Sequence, residues 1–91
     1  MPLDRRVSFI VQQQNQNRIQ VPKIVRWQYK LEPSQVLTAT VRVEHLGAAQ
    51  DFLTKMRKDG RITIPRRVAV ILRLNSPQLK KCFLNVTLVP A

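Results

Sequence analysis

Ninety-one residues leave room for one domain, spanning 1–91; 16 Lys and Arg against five Asp and Glu give a net charge of +11 and an isoelectric point near 11.5. A lone Cys82 excludes an intramolecular disulfide, and with His45 as its only soft companion a zinc site is not expected either. No apolar run reaches the roughly 18 residues of a membrane-spanning helix, and the opening Met-Pro-Leu-Asp-Arg-Arg lacks the apolar core of a secretion signal, so a cytoplasmic location away from the membrane is expected.

In chain order, Val7, Phe9 and Val11 alternate with Ser8 and Gln12, the period of a half-buried strand. Gln13-Gln14-Asn15-Gln16-Asn17 interrupts it with asparagines suited to left-handed backbone. Arg18-Ile19-Gln20-Val21 resumes the alternation as far as Pro22, which suits the first turn of a short helix. Val25 and Tyr29 then stand one turn apart, with Trp27 and Tyr29 expected in the core and Lys23, Arg26 and Lys30 on a solvated face. Leu31 anchors the helix exit and Pro33 forbids continuation. The run from Val36 to Leu46 is extended, with Val41 and Val43 opposing Thr38, Thr40 and Arg42.

A linker over 44–51, centred on Gly47-Ala48-Ala49, leads into a second set of elements. Phe52 to Arg57 reads as a strand, Lys58-Asp59-Gly60 as a turn, and Arg61 to Ile64 as the return strand; Asp-Gly between alternating runs is a strong hairpin signal. Pro65 to Arg73 reads as a short helix carrying Val68, Ile71 and Leu72 at i, i+3 and i+4. Leu74 and Pro77 mark its exit, and Lys81 to Val89 is extended, with a partly apolar Cys82 beside Phe83.

These two sets are copies. Arg18-Ile19-Gln20-Val21-Pro22-Lys23-Ile24-Val25 aligns without a gap on Arg61-Ile62-Thr63-Ile64-Pro65-Arg66-Arg67-Val68, 43 residues later. At the same offset Phe9 falls on Phe52, Leu31 on Leu74, Gln35 on Gln78 and Val43 on Val86. The repeats span 7–46 and 50–89. Each is marginal alone, so two interlocking half-domains around one core are expected, with six strands removing their edges by closing on themselves.

The stretch from Thr54 to Val68, with its Gly-containing turn, basic residue, alternating strand into Pro and short helix, closely resembles the AbrB/MazE/SpoVT superfamily. The first copy keeps Arg18 and Pro22 but has the polar Asn15-Gln16-Asn17 in place of Asp59-Gly60. Members of that superfamily usually dimerise by swapping a hairpin that follows the helix. Here both copies lie in one chain and a single strand follows each helix. That combination resembles the RIFT-type cradle-loop barrels. The resemblance implies a mainly β fold: a closed six-stranded barrel with pseudo-two-fold symmetry and two short helices, each half strand-strand-helix-strand. The swapped-hairpin AbrB-like barrel is the alternative.

Function follows from charge and resemblance together. So basic a chain is attracted to polyanions. Seven basic residues and one acid, Asp59, lie between Lys55 and Arg73. By resemblance Lys55, Arg57, Lys58 and Arg61, with Arg18 at the matching place in the first copy, face nucleic acid, DNA rather than RNA, in a transcriptional regulator that is monomeric because its pseudo-dimer is one chain. Arg5 and Arg6 add a basic N-terminal pair. RIFT-type barrels also occur in riboflavin kinases and flavin reductase domains, so a nucleotide- or flavin-binding or protein-binding module is the alternative. Few acids, one His and only two glycines speak against an enzyme and against a phosphate-cradling loop; no cofactor or metal is expected.

Overall fold

The computed structural model describes residues 5–14, 17–43, 47–74 and 82–91. The expected Asn15-Gln16 turn, His45 in the linker, and Pro77 with Gln78 lie outside the described residues. The order of elements is β1 (Val7–Gln12), β2 (Arg18–Gln20), α1 (Lys23–Gln28), β3 (Leu37–Val43), β4 (Ala49–Thr54), β5 (Arg61–Thr63), α2 (Arg66–Ile71) and β6 (Phe83–Pro90). The chain is mainly β.

The two halves interlock strand by strand. One antiparallel sheet runs β1-β6-β3-β4, so each half's first strand pairs across the other's territory, and β2 pairs with β5 in a separate two-stranded ribbon. Exchanging β1 for β4, β2 for β5 and β3 for β6 leaves both orders unchanged, which is the pseudo-two-fold symmetry implied by the repeat. In the ribbon Ile19 stands opposite its own counterpart, Ile62, 43 residues on. In the sheet the self-opposed pair is Thr40 and Thr87, 47 residues apart.

That change of offset corrects the gapless alignment. Val43 is the counterpart of Pro90 and not of Val86; the second half carries four more residues between its helix and Leu84 than the first does between its helix and Leu37, and the shift matches Leu37 to Leu84 and Thr40 to Thr87. Pairing register is set by which residues face the core, because a one-residue slip turns every side chain over. Loop length is free to differ.

The sheet and ribbon face each other across a core of Val7, Phe9, Leu37, Ala39, Val41, Val43, Phe52, Leu84, Val86 and Leu88 from the sheet and Ile19, Val21, Ile62 and Ile64 from the ribbon strands and their exits. The helices close the ends. Val68, Ala69 and Leu72 are buried from α2, whereas Ile71, expected beside them, is exposed. Val25 and Tyr29 pack against the core from α1, but Trp27, expected inside, is exposed.

Both helices stop one turn before the prolines that would end them. Lys30 and Arg73 take left-handed backbone, with φ of 53° and 57°. The Leu31 N–H reaches back to the Arg26 carbonyl and the Leu74 N–H to the Ala69 carbonyl, at 3.0 and 2.9 Å, the six-to-one bond of a Schellman cap. The following leucine dives into the core, as expected of Leu31 and Leu74.

The expected closed barrel is not what the hydrogen bonds make. Sheet and ribbon are separate, joined at one corner by an isolated Gln14–Arg18 bridge and at the other by the Arg57 N–H on the Arg61 carbonyl at 2.8 Å. With three residues each, β2 and β5 are too short to pair both with one another and along the full edges of β1 and β4. The strand expected over 52–57 runs instead as Ala49–Thr54: it ends early, and it begins inside the linker expected over 44–51, because Ala49, Gln50 and Asp51 already pair with Arg42, Val41 and Thr40.

Because Ile19 and Ile62 are fully buried on the pseudo-two-fold axis, Ile62→Ala should cost about 2–5 kcal/mol. Ile19→Ala should cost a similar amount, and the double variant less than both together, since the partners share one cavity. Urea denaturation of the three variants measures this; strict additivity would contradict the packing described.

Candidate nucleic-acid interface

The ribbon's pleat sorts its residues. Ile19 and Ile62 point inward, which turns Arg18 and Gln20 of β2 and Arg61 and Thr63 of β5 to the outer face. Arg18 lies opposite Thr63 and Gln20 opposite Arg61, so the two arginines, from different copies, are diagonal neighbours about 7–8 Å apart along the ribbon. Two positions 43 residues apart in the chain therefore form one basic face.

Beyond β5 the ribbon continues into the second hairpin turn. The Gly60 N–H bonds the Arg57 carbonyl at 2.9 Å, closing a turn with Lys58 and Asp59 at its centre, and Gly60 follows with φ of 85°. This is a turn followed by a left-handed bulge residue, so Gly60 alone carries the positive φ. Asp59 Oδ1 accepts from the Arg61 N–H at 3.1 Å, and its other oxygen lies 3.8 Å from the Arg61 guanidinium. An exposed pair of this kind contributes little to stability. It does lower the local positive potential beside Arg57 and Lys58, both exposed.

The first copy clasps this turn. The Val21 N–H donates to the Gly60 carbonyl at 2.9 Å, and Gln20 Nε2 donates to the Asp59 carbonyl at 2.9 Å. Arg26, expected on a solvated helix face, instead reaches from α1 and lays its guanidinium over Gly60. A Cβ there would sit 2.5 Å from Arg26 Cζ. Arg26 Nε and Arg61 Nε are both buried without a hydrogen-bond partner among the described residues. At the equivalent corner the Ile64 N–H donates to the Asn17 carbonyl at 2.8 Å, and the counterparts of Gly60 and Arg26 are Asn17 and Ala69. A small helix residue thus matches a turn residue with a side chain, and a large one matches glycine.

Of the five nominated residues, Arg18, Arg57, Lys58 and Arg61 share the ribbon and its turn. Lys55 is exposed at the exit of β4, and its side chain makes no hydrogen bond or ion pair among the described residues. Arg57, Lys58 and Asp59 also line an open cleft of about 480 Å³ with Pro33 and Met56. Sequence reasoning missed Arg26 and Gln20; the only signal for Arg26 was the change from Asn17 to Gly60 between copies, a long-range size match that no local pattern reveals. Cys82 is half-buried, with Sγ 3.9 Å from Gln13 Oε1, and burial pushes its thiol up despite an opposing backbone hydrogen bond. No group of three or more potential metal ligands occurs among the described residues, and no described helix is long and apolar enough to cross a membrane.

The chain is similar to the solution structure of PHS018 from Pyrococcus horikoshii, at 16% identity and a TM-score of 0.72, over 91% of this chain and 88% of that one. A likeness at that identity bears on the fold alone. No protein-family model and no curated protein matches the chain.

The size match between corners is testable by transplanting one onto the other. Gly60→Asn should destabilise the protein by displacing Arg26, while Asn tolerates the left-handed backbone as Asn17 does. Adding Arg26→Ala recreates the Asn17/Ala69 pair and should recover about 0.5–1 kcal/mol relative to the sum of the single effects. A double-mutant cycle in denaturant reads this coupling; a value of zero would show that Arg26 and the turn are independent.

Proposed function

We propose that this chain is a small nucleic-acid-binding protein that engages duplex DNA through the ribbon and second hairpin, in the manner of an AbrB-like regulator with both halves in one chain. One observation carries the reading: Arg18, Arg57, Lys58 and Arg61, drawn from both copies, sit together on the ribbon and its turn in a chain of net charge +11. Cations spaced along a twisted ribbon are placed to neutralise successive phosphates, releasing counterions and giving affinity that falls with salt. The clasp from Val21, Gln20 and Arg26 holds the turn before any ligand arrives, so little ordering entropy is lost on binding. The pseudo-dimer already contained in one chain supports a monomeric protein.

A second reading rests on the cleft beside the hairpin. Its roughly 480 Å³ falls within the range of small-ligand sites, and Arg57 and Lys58 at its wall suit a phosphate group, as in a nucleotide or flavin. Its openness favours the polymer.

Fluorescence anisotropy with duplex DNA, flavin mononucleotide and ATP at several salt concentrations separates the two. Arg57→Ala with Lys58→Ala should weaken duplex binding about a hundredfold near 0.1 M salt and make the log–log salt slope shallower by about two. Removing the same charge elsewhere, Arg6→Ala with Arg42→Ala, where Arg42 lies on the outer face of the sheet, should change both far less. Mononucleotide binding insensitive to salt, without duplex binding, would replace the first reading with the second.

A further inference from the structure

Trp27, the single tryptophan of the chain, is 80% exposed on α1, and Ile24 one turn before it is 68% exposed. Leaving an indole in water forgoes one of the larger burial gains available to a side chain. The fold does not require it. The equivalent helix positions in the second half are Arg67 and Val70, and α2 packs its Val68, Ala69 and Leu72 with no aromatic on its outer side. Tyr29, by contrast, is half-buried against the core.

The neighbouring positions on α1 are cationic. Lys23 is exposed four residues before Trp27, on the same side of the helix. Arg26 precedes it and lays its guanidinium over Gly60, the residue that joins the Lys58-Asp59 turn to Arg61. No acid lies within α1; the nearest along the chain is Glu32, and Asp59 of the turn is paired with Arg61. An exposed indole beside a phosphate-binding cationic track is the combination used to hold single strands, where the ring stacks on a base and the cations follow the backbone. In an intact duplex the faces of the bases are taken by their neighbours, so a ring on the convex side of a six-residue helix has only base edges and sugars to meet.

We infer that Trp27 is a stacking platform for an unpaired base of a bound nucleic-acid strand, with Lys23 on the adjoining phosphate, extending the interface from the second hairpin across Arg26 onto α1. This rests on the nucleic-acid reading above: duplex DNA meets the hairpin as proposed there, and a strand left unpaired beside it gains the Trp27 contact in addition.

Because Trp27 is the sole tryptophan, the protein reports on the contact directly. Titration with a single-stranded oligonucleotide should quench its fluorescence, and the matching duplex should quench it much less. Trp27→Ala should weaken single-strand binding about 5- to 150-fold, with the salt slope unchanged, and Trp27→Phe should restore most of the loss. Duplex affinity, and the affinity of a strand with abasic sites, should be the same in wild type and Trp27→Ala. Salt-dependent binding with Trp27 unquenched and Trp27→Ala unaltered would overturn the stacking platform and leave the hairpin interface standing. Equal quenching by duplex and single strand would overturn the preference for an unpaired base. Failure to bind either nucleic acid would overturn both readings.

Discussion

Everything in this fold hangs on a backbone exchange between the halves at their two left-handed turn residues. Val21 donates to the carbonyl of Gly60, and Ile64 to that of Asn17. Val21 and Ile64 are buried, and a buried N–H without an acceptor costs about 1–3 kcal/mol. Each donor finds its acceptor only in the other half. The left-handed φ at Asn17 and Gly60 turns those carbonyls toward the opposite strand, where asparagine and glycine tolerate a geometry that most residues resist. The Ile19–Ile62 contact beneath completes a crossing that neither half can make alone.

The same crossing organises the surface. Once Ile19 and Ile62 are committed inward, strand pleat alone decides that Arg18, Gln20, Arg61 and Thr63 face out. The basic character of the ribbon is thus a by-product of core packing plus composition. Its rigidity comes from the other copy: the second hairpin carries Arg57 and Lys58, while the first half supplies Gln20, Val21 and Arg26 to hold it. The copy that diverged from the motif acts as the mount for the copy that kept it.

Much of this was legible in the chain. Alternation placed the six strands, proline placed both helix starts, and Leu31 and Leu74 marked both exits, because each signal is local and each element is short. The doubled Arg-Ile-x-Val/Ile-Pro motif gave the symmetry. Four features were not legible. The offset changes from 43 to 47 after the helices because register answers to the core while loop length does not. Trp27 looked like core because aromatic residues usually are, and only its depth in three dimensions says otherwise. Arg26 looked solvated because its partner, Gly60, is a residue with no side chain to advertise a contact. Edge closure was expected from strand number, but three-residue strands cannot supply enough ladder to complete it.

The unlike corners have a consequence for how such a molecule can change. In a homodimer of identical halves every substitution is made twice, so a long arginine at one helix position would demand glycine at both turns, and a tryptophan on one helix would be mirrored on the other. Joining the halves in one chain lifts that constraint. Arg26 can lie over Gly60 while Ala69 accompanies Asn17, and Trp27 can stand out while its counterpart is Val70. Such a chain keeps a symmetric skeleton but presents a handed surface, with a front and a back along the ribbon, and a polymer lying across it would meet a different neighbour in each direction.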